Sequence, residues 1–346
     1  MIRRNPTPAP SSRPAFSVQA WLDSLVGEAA PTPKATGSPA ARLTYGPIGD
    51  LRAWRRQWEQ MLDGRPVVLS LSGGKDSTAC GLLLQAAGIP FTPVHMDTGW
   101  EHEDTEHHLR THLTKLFGSI VILKSKKYPG GFRDLVQQKG MFPNRLARFC
   151  TQELKVKPFL AYLAALEDEP VNVIGIRAEE SRSRAKMPEW SEHDKGFDCP
   201  VWRPIIAWTY EDVIRAHQDS GVKPNSLYLK RGVSRVGCWP CIFADKIEMR
   251  AVAMHSPERI DEIEALEARL NSAAAARMGV DEVPIKQRRS MFHRRSNMVN
   301  RGESKAWPIR EAIEWSKTKR GGKVEDERTA EDFAREGCMR WGMCEK

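Results

Sequence analysis

The sequence predicts an α/β fold: a parallel sheet with helices on both faces, followed by a mostly helical C-terminal region. Three observations carry that expectation. An apolar run, Val67-Val68-Leu69-Ser70-Leu71, passes through Ser72-Gly73-Gly74 directly into a helical pattern that starts at Lys75. Further short apolar runs at 91–96, 120–123 and 171–176 alternate with segments of helical periodicity, the spacing of βαβ units with right-handed crossovers. The unusual polar sequence lies just after these runs, at the strand ends where parallel sheets bind ligands.

In chain order, residues 1–45 are rich in Pro, Ala, Ser and Thr and read as a disordered tail, with a short amphipathic helix over 16–26. Leu51, Trp54, Trp58 and Leu62 set a helical stripe that packs on the coming sheet, and Gly64-Arg65-Pro66 ends it. After the Ser-Gly-Gly turn and its helix, Gly88-Ile89-Pro90 leads into the second strand, which closes at Asp97-Thr98-Gly99. His102, His107, His108 and His112 then read as a solvated helix face. The stretch 225–235 reads as a loop. Ser256-Pro257 opens a helix with Ile260, Ile263, Leu266 and Leu270 on one side. The expected organisation is a tail (1–45), a nucleotide-binding domain with a cysteine group (46–245) and a helical basic region (246–346).

The chain has 346 residues, with 53 Lys and Arg against 44 Asp and Glu, a net charge of +9 and a pI near 9.2. That excess suits a polyanionic partner. No window is apolar enough to span a bilayer, so a membrane role is not expected. Seven cysteines, an odd number, and no apolar signal core point to a cytoplasmic, reducing setting with metal-binding or reactive thiols.

The Ser-Gly-Gly turn has the make-up of a phosphate cradle. Two glycines let successive N–H groups and the positive end of a helix face one anion, and Lys75 adds a formal charge. A Walker A loop is excluded, because position 69 is Leu and Asp76 follows the lysine. The stretch Ser72-Gly73-Gly74-Lys75-Asp76-Ser77 instead resembles the PP-loop of the ATP pyrophosphatases, signature Ser-Gly-Gly-x-Asp-Ser. The resemblance implies ATP with Mg2+, cleavage to AMP and pyrophosphate, Lys75 and Asp76 as catalytic groups, and Mg2+ on Asp76 or Asp97.

Asp97-Thr98-Gly99 with Asp104-Thr105, the Arg148-Phe149-Cys150-Thr151 run leading to Lys155 and Pro158, Gly175-x-Arg177 with Glu180 and Arg184, and 204–213 stand in a familiar order. It is similar to that of the phosphoadenosine phosphosulfate (PAPS) reductase family, whose superfamily includes DNA phosphorothioation sulfurtransferases and phage proteins. The resemblance implies an adenine nucleotide alpha hydrolase-like fold. It also implies a nucleotide site on Ser72 to Ser77, Asp97, Thr98, Gly99, Arg177, Glu180 and Arg184. The reductases have a degenerate loop, whereas this one is intact. A lysine there serves a pyrophosphate leaving group, which favours ATP over PAPS.

Cys238-Trp239-Pro240-Cys241 is a C-x-x-C that zinc, an iron–sulfur cluster or a redox dithiol can use. In the iron–sulfur branch of the resembled superfamily, the positions of Cys150, Cys238 and Cys241 ligate a [4Fe–4S] cluster, with Cys199, Cys338 or Cys344 open as a fourth ligand and zinc as the alternative. The reductases also use a C-terminal cysteine as nucleophile, which falls on Cys344 although the surrounding motif differs. Cys80 reads as a core residue. Arg288, Arg289, Arg294 and Arg295 around Met291-Phe292 suit a phosphate backbone and a stacked base, and 317–323 forms a second basic loop.

These readings converge on an AMP-forming sulfurtransferase acting on a nucleic acid and served by a sulfur donor such as a cysteine desulfurase. The alternatives are a PAPS or adenylyl-sulfate reductase releasing sulfite, and a nucleotide-gated nucleic-acid-binding module with structural zinc.

Overall fold

The computed structural model describes residues 48–194, 196–295, 304–319 and 325–341. The expectations for the 1–45 tail and for Cys344 lie outside the described residues.

Six strands form one sheet: β1 (Val67–Ser70), β2 (Thr92–Met96), β3 (Val121–Leu123), β4 (Val171–Ile174), β5 (Trp190–Ser191) and β6 (Val201–Trp202), in the order β3-β2-β1-β4-β6-β5. All neighbours run parallel except β5, which lies antiparallel on β6 at the edge. Val67, Val68 and Leu69 are buried without alternation, because a central parallel strand is covered on both faces. From β1 the chain steps outward to β2 and β3, then returns to β4 on the other side of β1. That reversal opens a crevice between the carboxyl ends of β1 and β4.

Helix α1 (Leu51–Leu62) is capped by Asp50, whose carboxylate accepts from Arg52 N and Ala53 N. Its predicted stripe packs as expected: Trp54 and Trp58 lie 5.4 and 4.8 Å from the Trp202 ring, closing the sheet edge with an indole stack. Helix α2 (Lys75–Ala86) follows the Ser-Gly-Gly turn and is buried along most of its length, with Cys80 in the core. Helix α3 (Glu103–His107) passes through a wide π-helical turn (His108–Leu113) into α4 (Thr114–Phe117). His102 and His108 are buried rather than solvated, and burial lowers the pKa of each to about 4. His102 is the N-cap of α3, its ring accepting from Asp104 N at 2.9 Å and its centre lying 5.2 Å from that of the Trp239 ring, so it faces the core and not solvent.

Then come α5 (Phe132–Lys139), α6 (Phe149–Thr151), a second π-helical turn (Gln152–Val156) and α7 (Lys157–Leu163). Helix α8 (Tyr210–Asp219) starts in a capping box between Thr209 and Asp212. Helix α9 (Ser226–Lys230) occupies part of the stretch read as loop. Asn225 nucleates it by accepting from Leu227 N. The C-terminal region holds α10 (Lys246–His255), α11 (Pro257–Met278), α12 (Ile309–Ser316) and α13 (Ala330–Arg340), with a hairpin of β7 (Phe292–Arg295) and β8 (Ser304–Trp307) where the sequence suggested a basic loop. Among the described residues no helix is long and apolar enough to cross a membrane.

One apolar cluster packs around α2 and the sheet, from Trp58 to Ala216. A second runs from Trp100 and Phe132 through Tyr228 and Trp239 to Met249, Ile263 and Trp341, joining the strand-end loops to the C-terminal helices.

Candidate functional site

The loop leaves β1 and turns at Gly73, whose φ of 76° is the left-handed conformation that glycine adopts without strain. Ser77 Oγ closes the turn, accepting from Ser72 N at 3.1 Å and lying 3.1 Å from Gly74 O, while Gly74 N donates to Ser72 Oγ at 3.3 Å. Lys75, Asp76 and Ser77 are therefore the first residues of α2. Their N–H groups have no preceding helical carbonyl, and they sit at the positive end of the helix dipole. Lys75 N donates to the buried Tyr228 hydroxyl at 3.0 Å.

The Lys75 side chain is 5 % exposed. Its ammonium donates to Asp76 Oδ2 at 2.9 Å and to Ser234 O at 3.2 Å, and lies 5.4 and 5.5 Å from the ring centres of Tyr210 and Tyr228. Asp76 Oδ1 accepts from Arg177 Nε at 2.6 Å, and Arg177 also pairs with Glu179. Burial alone raises the Asp76 pKa, but Lys75 and Arg177 outweigh it and hold the carboxyl below its ordinary range. Arg177 reaches Asp76 because β4 is followed by Gly175, where a Cβ would stand 2.7 Å from the Asp76 carbonyl oxygen. Glu180 accepts from Arg177 N at 2.8 Å and pairs with Arg184 at 2.5 Å, so these two residues shape the loop after β4. Behind the loop, His217 Nε2 lies 3.0 Å from Lys75 O, and the Trp341 ring packs on His217 and Tyr228.

At the end of the neighbouring strand β2, Asp97 Oδ1 accepts from Gly99 N at 2.8 Å and Oδ2 pairs with Lys124 at 3.0 Å. Thr98 Oγ1 donates to Glu101 Oε1 at 2.7 Å and lies 3.7 Å from Cys238 Sγ. The C-x-x-C docks here as an extended strip: Trp239 N donates to Trp100 O at 2.7 Å and Trp100 Nε1 to Pro240 O at 3.1 Å. Cys238, Cys150 and Cys241 all lie near the Lys155 ammonium, with Glu101 beside them. That setting, led by Cys238, raises the Lys155 pKa. Burial pushes the Cys238 thiol up to about 12 and raises Cys150 as well.

The structure thus brings the three predicted thiols together, but around a lysine. Among the described residues no group of three or more His, Cys, Asp or Glu side chains is arranged to hold a metal ion. The placement of the thiols therefore gives no support to the iron–sulfur cluster or the zinc expected on them. Cys199 is buried in a separate cluster with Val68 and Phe159, and Cys338 lies on α13. Arg288 is exposed and pairs with Glu282 at 3.3 Å, whereas Arg289 N donates to Asn271 Oδ1 at 2.8 Å. Arg294 and Arg295 lie on β7, with side chains outside the described set.

Reasoning from sequence missed Tyr210, Tyr228 and Glu101. Tyr228 sits in a stretch without periodicity, and only the folded chain carries it to Lys75. Glu101 follows Trp100 closely enough to the strand end to have been a candidate, being an acid after an apolar residue in a ligand-side loop.

Residues 66–244 match the phosphoadenosine phosphosulfate reductase domain. An uncharacterised 37.8 kDa protein of Escherichia phage 186 is 33% identical, over 75% of this chain and 90% of its own length. A protein of Methanocaldococcus jannaschii is 30% identical over 55% of this chain and 44% of its own. Among solved structures, the PAPS reductase of Candida auris in complex with phosphate aligns with a TM-score of 0.42 at 16% identity, covering 54% of this chain and 87% of that one. FMN adenylyltransferase of Candida glabrata with FMN and an ATP analogue aligns with a TM-score of 0.41 at 15% identity, covering 57% and 66%. The domain match spans the sheet, the Ser-Gly-Gly loop and the C-x-x-C together, and the chain belongs to the phosphoadenosine phosphosulfate reductase domain family.

Proposed function

We propose that, within the nucleotide-dependent sulfur chemistry of this family, the protein is an AMP-forming sulfurtransferase whose acceptor is a nucleic acid. One observation carries the reading: an intact Ser-Gly-Gly-Lys-Asp-Ser loop and a group of three thiols lie at the carboxyl ends of the adjacent strands β1 and β2. The ATP phosphates lie on the first turn of α2, where Lys75 exchanges its Ser234 carbonyl for the pyrophosphate leaving group. Asp76 is already neutralised by Lys75 and Arg177. Its part is to orient those two cations rather than to hold Mg2+.

The acceptor oxygen attacks the α-phosphorus and pyrophosphate leaves. A persulfide on one of the thiols, loaded by a donor such as a cysteine desulfurase, then displaces AMP. A second thiol attacks the resulting disulfide linkage, releasing the thiolated acceptor and leaving a protein disulfide that a cellular dithiol reduces. No step passes through iron or zinc.

The test is to supply ATP, Mg2+ and oligonucleotide or tRNA acceptors and to follow AMP and pyrophosphate. Acceptor-dependent AMP is expected. No AMP with any acceptor, together with sulfite release from PAPS, would establish a reductase instead. Metal analysis of anaerobically purified protein tests the thiol chemistry separately, and stoichiometric iron would replace the persulfide step.

A further inference from the structure

The positive charge of the chain is concentrated in one stretch. Residues 124–157 hold nine Lys and Arg against two Asp and Glu, a net +7 of the whole chain's +9. Residues 246–346, where the basic motifs first suggested nucleic-acid contacts, hold 21 against 18, a net +3. The basic stretch starts directly after β3, on the ligand side of the sheet, and runs past Cys150 and Lys155.

Within it, residues 141–148 form a pinned, projecting turn. Phe142 and Pro143 are buried, and Asn144 Oδ1 accepts from Leu146 N and Ala147 N, both at 2.9 Å, while Asn144 N donates to Ala147 O at 3.1 Å. This leaves Arg145, Leu146, Ala147 and Arg148 in solvent, with Leu146 99 % exposed. The Arg145 and Arg148 guanidinium carbons lie 5.7 and 4.8 Å from the centre of the Phe243 ring. Phe243 stands two positions after Cys241, and Arg148 two before Cys150, so the turn borders the thiol group. Lys139 lies 5.9 Å from the Phe149 ring centre, and Lys157, Lys127 and Lys139 all face the single carboxylate of Glu153.

A leucine held fully in water at the tip of a rigid turn contributes nothing to the core. An aliphatic side chain flanked by arginines is, however, what unstacks a base step while phosphates are held on either side. We propose that this face holds a polynucleotide beside the thiols, with Arg145, Arg148 and Lys139 on phosphates and Leu146 against a base step. The proposal rests on the nucleic-acid reading above and names its interface.

The test is binding of the full chain, without ATP, to fluorescein-labelled duplex DNA and single-stranded RNA over a salt series. Each phosphate contact contributes about 0.9 to the log–log salt slope on duplex DNA and about 0.7 on single strands. Arg145→Glu with Arg148→Glu is therefore expected to weaken binding about tenfold or more and to flatten the slope by about 1.4 to 1.8. Leu146→Ser is expected to weaken it about fivefold with the slope unchanged, and to remove the fluorescence rise of 2-aminopurine at the contacted step. Arg52→Glu with Arg56→Glu, the same charge change on exposed positions of α1, is expected to leave affinity unchanged.

All the altered side chains are exposed, and equal melting temperatures would verify that the variants fold. Wild-type affinity and slope in the Arg145/Arg148 variant would overturn the proposal, as would an equal loss in the α1 control, efficient displacement by polyglutamate, or no binding by the wild type. The two readings fail separately. Binding through this face without AMP formation sinks the ATP chemistry alone, and AMP formation that ignores these substitutions sinks the interface alone.

Discussion

The Asp76 carboxylate stands between two cations, 2.9 Å from Lys75 Nζ and 2.6 Å from Arg177 Nε. Removing it leaves Lys75 and Arg177, each at most 5 % exposed, facing one another without a counter-charge. Asp76→Asn is expected to lower stability by about 3–5 kcal/mol, the cost of breaking a buried pair on one side. Urea unfolding measures it, and a loss below about 1 kcal/mol would mean that water screens the group. The pH dependence has a definite sign. The Asp76 pKa is lowered in the folded state, so its stabilisation is complete above the ordinary aspartate value and is lost as pH falls through the folded one. The wild type should therefore lose stability on the acid side more steeply than Asp76→Asn. Lys75→Gln separates chemistry from folding: AMP formation is expected to fall about 10²–10³-fold, as for removal of one charge-stabilising donor. Unchanged turnover would remove Lys75 from the pyrophosphate site.

Among the elements, α11 clamps the β7–β8 hairpin through one carboxylate: Glu267 accepts from Met291 N at 3.0 Å and from Ile309 N at 3.1 Å. Burial nevertheless pushes its pKa up to about 7, so the folded state binds a proton that the unfolded chain releases near the ordinary glutamate value. Stability is then expected to decline as pH rises between those two values, and the decline should vanish in Glu267→Gln. Urea midpoints between pH 4.5 and pH 7.5 (about the ordinary glutamate value to just above neutrality) test this, and parallel pH profiles would exclude it. Glu267 gave no signal in the sequence, because its partners are backbone groups of a hairpin that the basic run concealed. Elements with local signatures were legible: the Leu51, Trp54, Trp58 and Leu62 stripe of α1, the strand–Gly-Gly–helix unit, and the apolar face of Ile260, Ile263, Leu266 and Leu270. Those formed by long-range pairing were not. β5 and β6 are two residues each and exist only as partners of one another and of β4. Ser256 has the look of a helix cap, yet its hydroxyl accepts from Trp239 Nε1 at 3.0 Å instead. At the site, glycines and charges marked the loop, whereas Tyr228 and Tyr210 reach Lys75 only through tertiary packing.

At the scale of the molecule, the expected boundary between residues 245 and 246 cuts across an apolar cluster. Trp100, Phe132, Tyr228 and Trp239 on one side share it with Met249, Ile263 and Trp341 on the other. Polar contacts follow the same seam: Arg259 lies 4.1 Å from the Trp100 ring centre, and Arg133 pairs with Glu262. Burying one large apolar side chain stabilises by about 1.5–3 kcal/mol, so uncovering these four aromatics costs about 6–12 kcal/mol. A whole domain has a margin of only about 5–15 kcal/mol. The site depends on the seam as well, since Tyr228 accepts from the Lys75 N–H and Trp341 packs against Tyr228. A chain ending at residue 245 is therefore expected to lose cooperative unfolding and near-ultraviolet circular dichroism, and to bind no nucleotide. A truncated chain that melts cooperatively with an intact aromatic signal would show instead that the first 245 residues carry a core of their own, and that the C-terminal helices only cover it.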